Sequence, residues 1–211
     1  MKLTKFAHSC VLVETPERVG IFDPGSYSWK SGTFEPDRLK SLDDIIITHE
    51  HPDHMHLPFI RTLVDKFPEA NIVTTETAAN LLRGDGLENV RVIGNTAISL
   101  FQAIHESAEP LSPPPPLNIG IHYLNQLSHP GDCQHFDESK SVLALPVTGT
   151  WGTTARAASL VQELKPEYVL PIHDWNWHDT ARSRYYERFN DYCEELGVNF
   201  LQPVDGQTLE I

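Results

Sequence analysis

At 211 residues, with 40% hydrophobic and 21% charged content, the chain has an ordinary globular composition and enough length for one well-cored domain. Sixteen basic residues against 29 acidic ones leave a formal net charge of -13, which repels phosphate backbones and argues against nucleic acid as a substrate. No run is long and apolar enough for a transmembrane helix, Met1 to Lys5 shows no leader-like stretch, and the odd count of three cysteines has no CxxC spacing. A disulfide framework and a structural zinc finger are therefore not expected, and a cytoplasmic setting is.

In chain order, Lys2 to Phe6, Cys10 to Glu14 and Val19 to Asp23 read as short strands, with Thr15-Pro16-Glu17 as a turn and Asp23-Pro24-Gly25 closing the third. Ser26 to Pro36 reads as a loop rich in small and aromatic residues, and Asp44 to Thr48 as a buried strand. Leu57, Ile60, Leu63, Val64 and Phe67 recur at helical spacing and predict a helix over 57–67. Further strands are expected over 71–75, 90–93, 98–104, 119–127 and 141–146, with a short helix over 77–82 ending near Gly84. Ser112 to Pro116, with four consecutive prolines, cannot join a helix or a central sheet, so 106–117 is a stiff loop, either a spacer or a lid. Thr153 to Leu164 is a Thr-capped helix with the stripe Ala157, Leu160, Val161 and Leu164. A strand over 168–172, an amphipathic helix over 180–196 ended by Gly197, and strands over 198–201 and 208–211 complete the chain. Strands first and strand-helix units after, twice over, suggest an α/β four-layer αββα sandwich in a single domain over 1–211.

The segment His49-Glu50-His51-Pro52-Asp53-His54 puts three histidines and an aspartate directly after the apolar run Ile45-Ile46-Ile47. Imidazole and carboxylate together suit zinc, iron or manganese. The helical zincin motif is excluded because the residue four after His49 is Asp53 and because Pro52 disrupts a helix. The plain alternative is a surface loop that is only His-rich. Two metal ions need about three protein ligands each, and further candidates stand at strand ends: His105, Asp132 in His129-Pro130-Gly131-Asp132, and His173.

With His8, Asp23-Pro24, Thr48 to His54, His105, Gly131-Asp132 and Pro171-Ile172-His173 in this order, the chain resembles the metallo-β-lactamase-fold hydrolases. Within them it is similar to the small bacterial proteins like L-ascorbate phosphate lactonase. The resemblance covers nearly the whole chain. It implies a binuclear centre of two divalent ions, zinc first and manganese or iron as alternatives. His49, His51 and His105 would hold one ion, Asp53, His54 and His173 the other, and Asp132 would bridge them. It further implies a bridging hydroxide that attacks a small ester, lactone or phosphoester, with Asp53 and Asp132 as the catalytic carboxylates and Asp53 orienting the nucleophile. Asp23 and His8 are family-like outer residues around the ligands. Their plain alternatives are a turn-forming Asp and a core His. His129 could reach the centre as an outer residue or a substrate contact.

Other residues carry less. His56 is expected on the first turn of its helix facing solvent, His122 as structural, Cys133 as packing, and His135 has no clear place. Trp175 and Trp177, near His173 and His178, are expected to line a pocket more than to pack under a loop, and Gly149-Thr150-Trp151-Gly152 to form another wall. True β-lactamases of this fold commonly carry Cys where Asp132 stands and are secreted, so antibiotic hydrolysis is disfavoured. The partner expected is a small molecule, with no nucleic acid and no membrane, and a homo-oligomer is compatible. A mononuclear iron oxygenase of the same fold and a non-catalytic metal-binding protein are the competing readings.

Overall fold

A computed structural model describes residues 1–211, and the chain divides into two units, Met1–Gly94 with Pro203–Ile211, and Asn95–Gln202. In the first unit, β1 (Lys2–Lys5), β2 (Val11–Glu14) and β3 (Val19–Phe22) pair antiparallel through short turns. Strands β4 (Asp44–Ile46), β5 (Asn71–Val73) and β6 (Val90–Arg91) continue the sheet in parallel, which requires crossovers. Helix α1 (Ser26–Ser31) lies in the first connection, α2 (Leu57–Lys66) forms the second and α3 (Glu76–Gly84) the third. The β3–β4 connection was expected to be loop throughout. Residue Gly25 starts a short helix there instead, and Trp29 packs its ring 5.4 Å from that of Phe59.

The C-terminal strand of the chain, β13 (Thr208–Glu210), closes this sheet against β1. The fully buried Lys5 side chain reaches Asp205 at 2.9 Å, and Gly206 N–H donates to the Lys5 carbonyl, so the return of the chain is anchored by charge as well as by pairing. Buried Asp44 accepts two hydrogen bonds from the Arg18 guanidinium, tying β4 to the turn before β3.

The second unit repeats the plan. Strands β7 (Ile98–Phe101), β8 (Gly120–Tyr123) and β9 (Leu127–His129) pair antiparallel. Strands β10 (Val142–Pro146), β11 (Tyr168–Ile172) and β12 (Asn199–Phe200) then run parallel, joined by α4 (Thr154–Leu164) and α5 (Asp179–Leu196). The single strand expected over 119–127 is thus two strands of a hairpin. Leu124 and Asn125 both take positive φ, 52° and 54°, as a tight turn that matches strand twist requires. The Pro-rich segment 106–117 has no regular element, as its composition dictates.

Each unit has its own apolar core between sheet and helices. Ile21, Ile45, Ile47 and Ile72 meet Phe59, Ile60, Leu63 and Leu82 in the first. Leu143, Leu145 and Val169 meet Leu160, Val161, Phe189 and Cys193 in the second. The opposite sheet faces are also buried, with Val11, Val13, Phe22 and Ile46 in one and Ile121, Tyr123, Ala144 and Leu170 in the other. Strands buried on both faces read as unbroken apolar runs, which is how β4 looked in the sequence. No helix is long and apolar enough to cross a membrane.

Candidate metal centre

In the first unit the chain leaves β3 through Asp23, whose φ is 43°. That strained backbone aims a fully buried carboxylate into the His49–His54 loop. Asp23 Oδ2 accepts from His54 Nδ1 at 2.7 Å and from Thr48 Oγ1 at 2.9 Å, and Oδ1 accepts from Thr48 N–H at 2.8 Å. Thr48 Oγ1, having donated to Asp23, stands 3.0 Å from His49 Nδ1 and accepts its proton. One aspartate thereby sets the tautomers of two histidines, His54 directly and His49 through Thr48. The Nε2 atom of each would then be the one offered to a metal ion, the arrangement in which a carboxylate orients a metal-binding imidazole. Asp23, expected either as an outer residue of the ligands or as a turn former, thus contacts His54 directly and His49 through Thr48.

The remaining donors of this unit gather in two clusters. His49 Nε2 and His51 Nδ1 are 3.1 Å apart. His8, Asp53 and His54 bring their ligand atoms within 4.8 Å of one another, with His8 Nε2 at 3.1 Å from Asp53 Oδ2. His8 was expected outside the ligands. It has φ 56° in the β1–β2 turn and bonds the Asp53 carboxylate. The loop is held from below by the segment after Asp23: Ser26 N–H donates to the Pro52 carbonyl and His56 N–H to that of Pro24. Gly25 permits this closeness, because a Cβ there would fall 1.6 Å from the Asp53 carbonyl oxygen. His56 itself precedes α2 and is half-buried, with its pKa lowered by burial and then by Lys30.

In the second unit three ligand candidates converge. His105 donates Nδ1–H to the Glu106 carbonyl at 2.6 Å and holds Nε2 3.6 Å from Asp132 Oδ2. His173, with φ 61°, donates Nδ1–H to the Thr148 carbonyl at 2.7 Å and holds Nε2 3.2 Å from the same oxygen. Asp132 is positioned by its neighbours. Asn118 bonds the carbonyls of Ala103 and Pro130, and Glu106 N–H donates to the Asp132 carbonyl. His129 is fully buried and accepts Gly131 N–H at Nδ1, so it braces the turn that carries Asp132. The donor set fits a divalent ion of borderline softness: imidazole nitrogens with fixed tautomers beside carboxylate oxygens.

The tryptophans after His173 take another place than expected, while His122 and Cys133 lie as expected. Trp177 packs on the second core and stacks on Tyr185 at 4.6 Å, so it supports α5 and does not line a pocket, whereas Trp175 is exposed. His178 caps α5. His122 is structural, held by Ser128 and Glu138 and stacked on Phe101, with its pKa lowered by burial. Cys133 is buried packing, and burial pushes its thiol up to about 11. Two groups escaped the sequence reading. The Glu106 carboxylate accepts from Gln134 N–H at 2.9 Å and pairs with His135 Nδ1 at 2.6 Å, and buried Asp174 accepts the Tyr186 hydroxyl at 2.5 Å. Their adjacency to His105 and His173 was the only available signal.

The Beta-lactamase superfamily domain model matches residues 2–173. Protein Rv0786c of Mycobacterium tuberculosis is 31% identical over 202 residues, covering 90% of this chain and 92% of that one. A UPF0173 metal-dependent hydrolase of Pyrococcus furiosus is 27% identical over 232 residues, covering 100% of each chain. A solved metallo hydrolase from the hyperthermophilic archaeon Ignicoccus hospitalis superposes with a TM-score of 0.73 at 23% identity, covering 100% of this chain and 98% of that one. That likeness shows the α/β fold, with mixed sheets and flanking helices.

Proposed function

Because the chain belongs to the β-lactamase superfamily, with the metallo-β-lactamase fold, and is a metal-dependent hydrolase, we propose that it cleaves a small ester, lactone or phosphoester at a binuclear metal centre. In this reading His49, His51 and His105 hold one ion, Asp53, His54 and His173 hold the second, and Asp132 bridges them. The carrying observation is Asp132 Oδ2, which faces the Nε2 atoms of two histidines whose other nitrogens are committed to carbonyls. One carboxylate oxygen presented to two fixed donors is what a bridge requires.

The ions, zinc first among the candidates, supply Lewis acidity and lower the pKa of bound water from 15.7 to about 7. The chain supplies the rest. Asp23 and Thr48 hold His54 and His49 in their ligating tautomers. Asp53, its side chain 25% exposed and bonded to His8 Nε2, is placed to accept the proton of the attacking water and pass it toward solvent. The substrate is a small molecule, and the three free, buried thiols suit a cytoplasmic setting.

The test is elemental analysis with an assay panel of esters, lactones, thioesters and phosphodiesters on zinc-, manganese- and iron-loaded protein. We expect two ions per chain and turnover of at least one class, with Asp132→Ala losing at least one ion and nearly all turnover. An Asp132→Ala protein that keeps two ions and full activity overturns the bridge. One iron per chain with oxygen uptake, or a metal-replete protein inert to the whole panel, overturns the hydrolytic reading.

A further inference from the structure

The strand β10 leaves the second unit's sheet through a loop, 147–153, that has more to do than connect it to α4. Val147 N–H donates to the Ile172 carbonyl, and the next carbonyl, of Thr148, is the acceptor that orients His173. Three residues on, the Trp151 indole stands edge-on to both ligand candidates of this unit. Its ring centroid is 5.0 Å from that of His173 and 6.1 Å from that of His105. Both imidazoles point Nε2 at Asp132, so the indole borders the place where their ligating atoms meet. It is half-buried: part of the ring packs on the imidazoles and part remains open.

The loop is pinned in this position. Gln134, two residues after Asp132, donates Nε2–H to the carbonyls of Pro146 and Thr153 and accepts Thr153 N–H at Oε1. Bare backbone makes room on both sides. A Cβ on Gly149 would lie 2.8 Å from the indole, and one on Gly152 would lie 2.8 Å from the Gln134 amide. Trp175, two residues after His173, is 49% exposed. Neither Val147–Thr153 nor His173–His178 contains a lysine or arginine, so these two loops offer the indole as a flat apolar surface and no cation of their own.

We propose that Trp151 is the wall of a substrate subsite that selects molecules carrying a planar apolar group, such as an aryl ring, next to the scissile centre. The indole face offers offset or edge-to-face contact to a flat ring, and the pinned loop keeps it from folding away, so little ordering cost is paid on binding. Trp151 touches the bound molecule and does no chemistry. The inference rests on the hydrolase reading for the location of the scissile centre, but its test does not depend on turnover.

The test is calorimetric titration of zinc-loaded protein with phenylacetate and with acetate, two carboxylates that differ only in the ring. The wild-type protein is expected to bind phenylacetate about tenfold more tightly, the size of one good aromatic contact plus burial of the ring. Trp151→Ala should bring the two affinities within about twofold by weakening phenylacetate alone, with zinc content and acetate affinity unchanged. Trp151→Phe should keep most of the preference, and Trp151→Leu, which keeps bulk without a π face, should lose about half of it on a logarithmic scale. No preference in the wild type, or an unchanged preference in both the Ala and Leu variants, overturns the subsite. If Trp151→Ala loses zinc, the Phe and Leu variants decide on the same criterion. A wild-type protein with the phenylacetate preference but no turnover across the substrate panel would defeat the hydrolase reading and leave the subsite standing.

Discussion

The most consequential single residue outside the ligands is Asp23. Its carboxylate accepts three protons' worth of hydrogen bonds from Thr48 and His54 and touches no solvent. In Asp23→Asn the amide must present its N–H2 either to Thr48 N–H or to the pair of donors at Oδ2, a donor facing donors in each case. His54 then loses its fixed tautomer, and His49 loses it through Thr48. We expect metal affinity to fall by about 10–100-fold with the fold retained, read by competition against a chromophoric chelator and by far-ultraviolet circular dichroism. An unchanged affinity would mean that the histidines are oriented by something else. The family resemblance marked Asp23 as an outer residue of the ligands, and the local pattern offered a turn-forming Asp before Pro24. The sequence could not choose, since the partners are 25 and 31 residues away. His8 shows the same limit. That it lay near the site was legible, but its place among the donors depends on a positive φ that no local pattern announced.

At the scale of elements, long periodic segments were legible and short ones were not. Helices α2, α4 and α5 carry apolar stripes or caps that leave little choice. Helix α1 has six residues and no stripe, and it exists because Gly25 can lie against the Asp53 backbone, a tertiary cause. The β8–β9 hairpin was hidden because its turn uses Leu124 and Asn125 where glycine is the usual mark. Gln134 was hidden for a related reason, being an ordinary amide whose three bonds reach 12 and 19 residues ahead. Removing it should be felt in two ways. Gln134→Ala removes one partner of the buried Pro146 carbonyl and the acceptor of Thr153 N–H, a cost of about 1–3 kcal/mol measurable by urea unfolding. It should also free the 147–153 loop, so that limited proteolysis newly cuts there while wild-type protein stays intact. Stability and proteolytic pattern both unchanged would show that the loop is held without Gln134.

At the scale of the molecule, each unit runs antiparallel strands into parallel strand-helix units, and every donor named follows the C-terminal end of a strand: His8 after β1, Asp23 after β3, the His49–His54 loop after β4, His105 after β7, Asp132 after β9 and His173 after β11. That regularity was readable in one dimension, since each apolar run could be seen to end in a titratable residue. The twofold order of strands and strand-helix units was readable too, but the pairing order within each sheet was not, because it is set by contacts between distant segments. The buried donors also make a thermodynamic demand. Asp23, His49, His54, His129 and Asp132 are all almost fully buried, in a chain of net charge -13, and cations that bind only the folded state relieve that burden. At a free metal concentration of 100 times Kd, one site adds about 2.7 kcal/mol, which for a chain of this size is a rise in Tm of about 5–10 °C. Stripping both ions from the protein with a chelator should therefore lower its Tm by about twice that amount. Adding zinc back after the chelator is removed should restore it, and Asp132→Ala, with fewer ions to lose, should show a smaller drop. Differential scanning calorimetry at fixed protein concentration reads all three. A Tm indifferent to chelation and to zinc would mean that these donors bind no ion in the folded chain, and the proposed centre would fall with it.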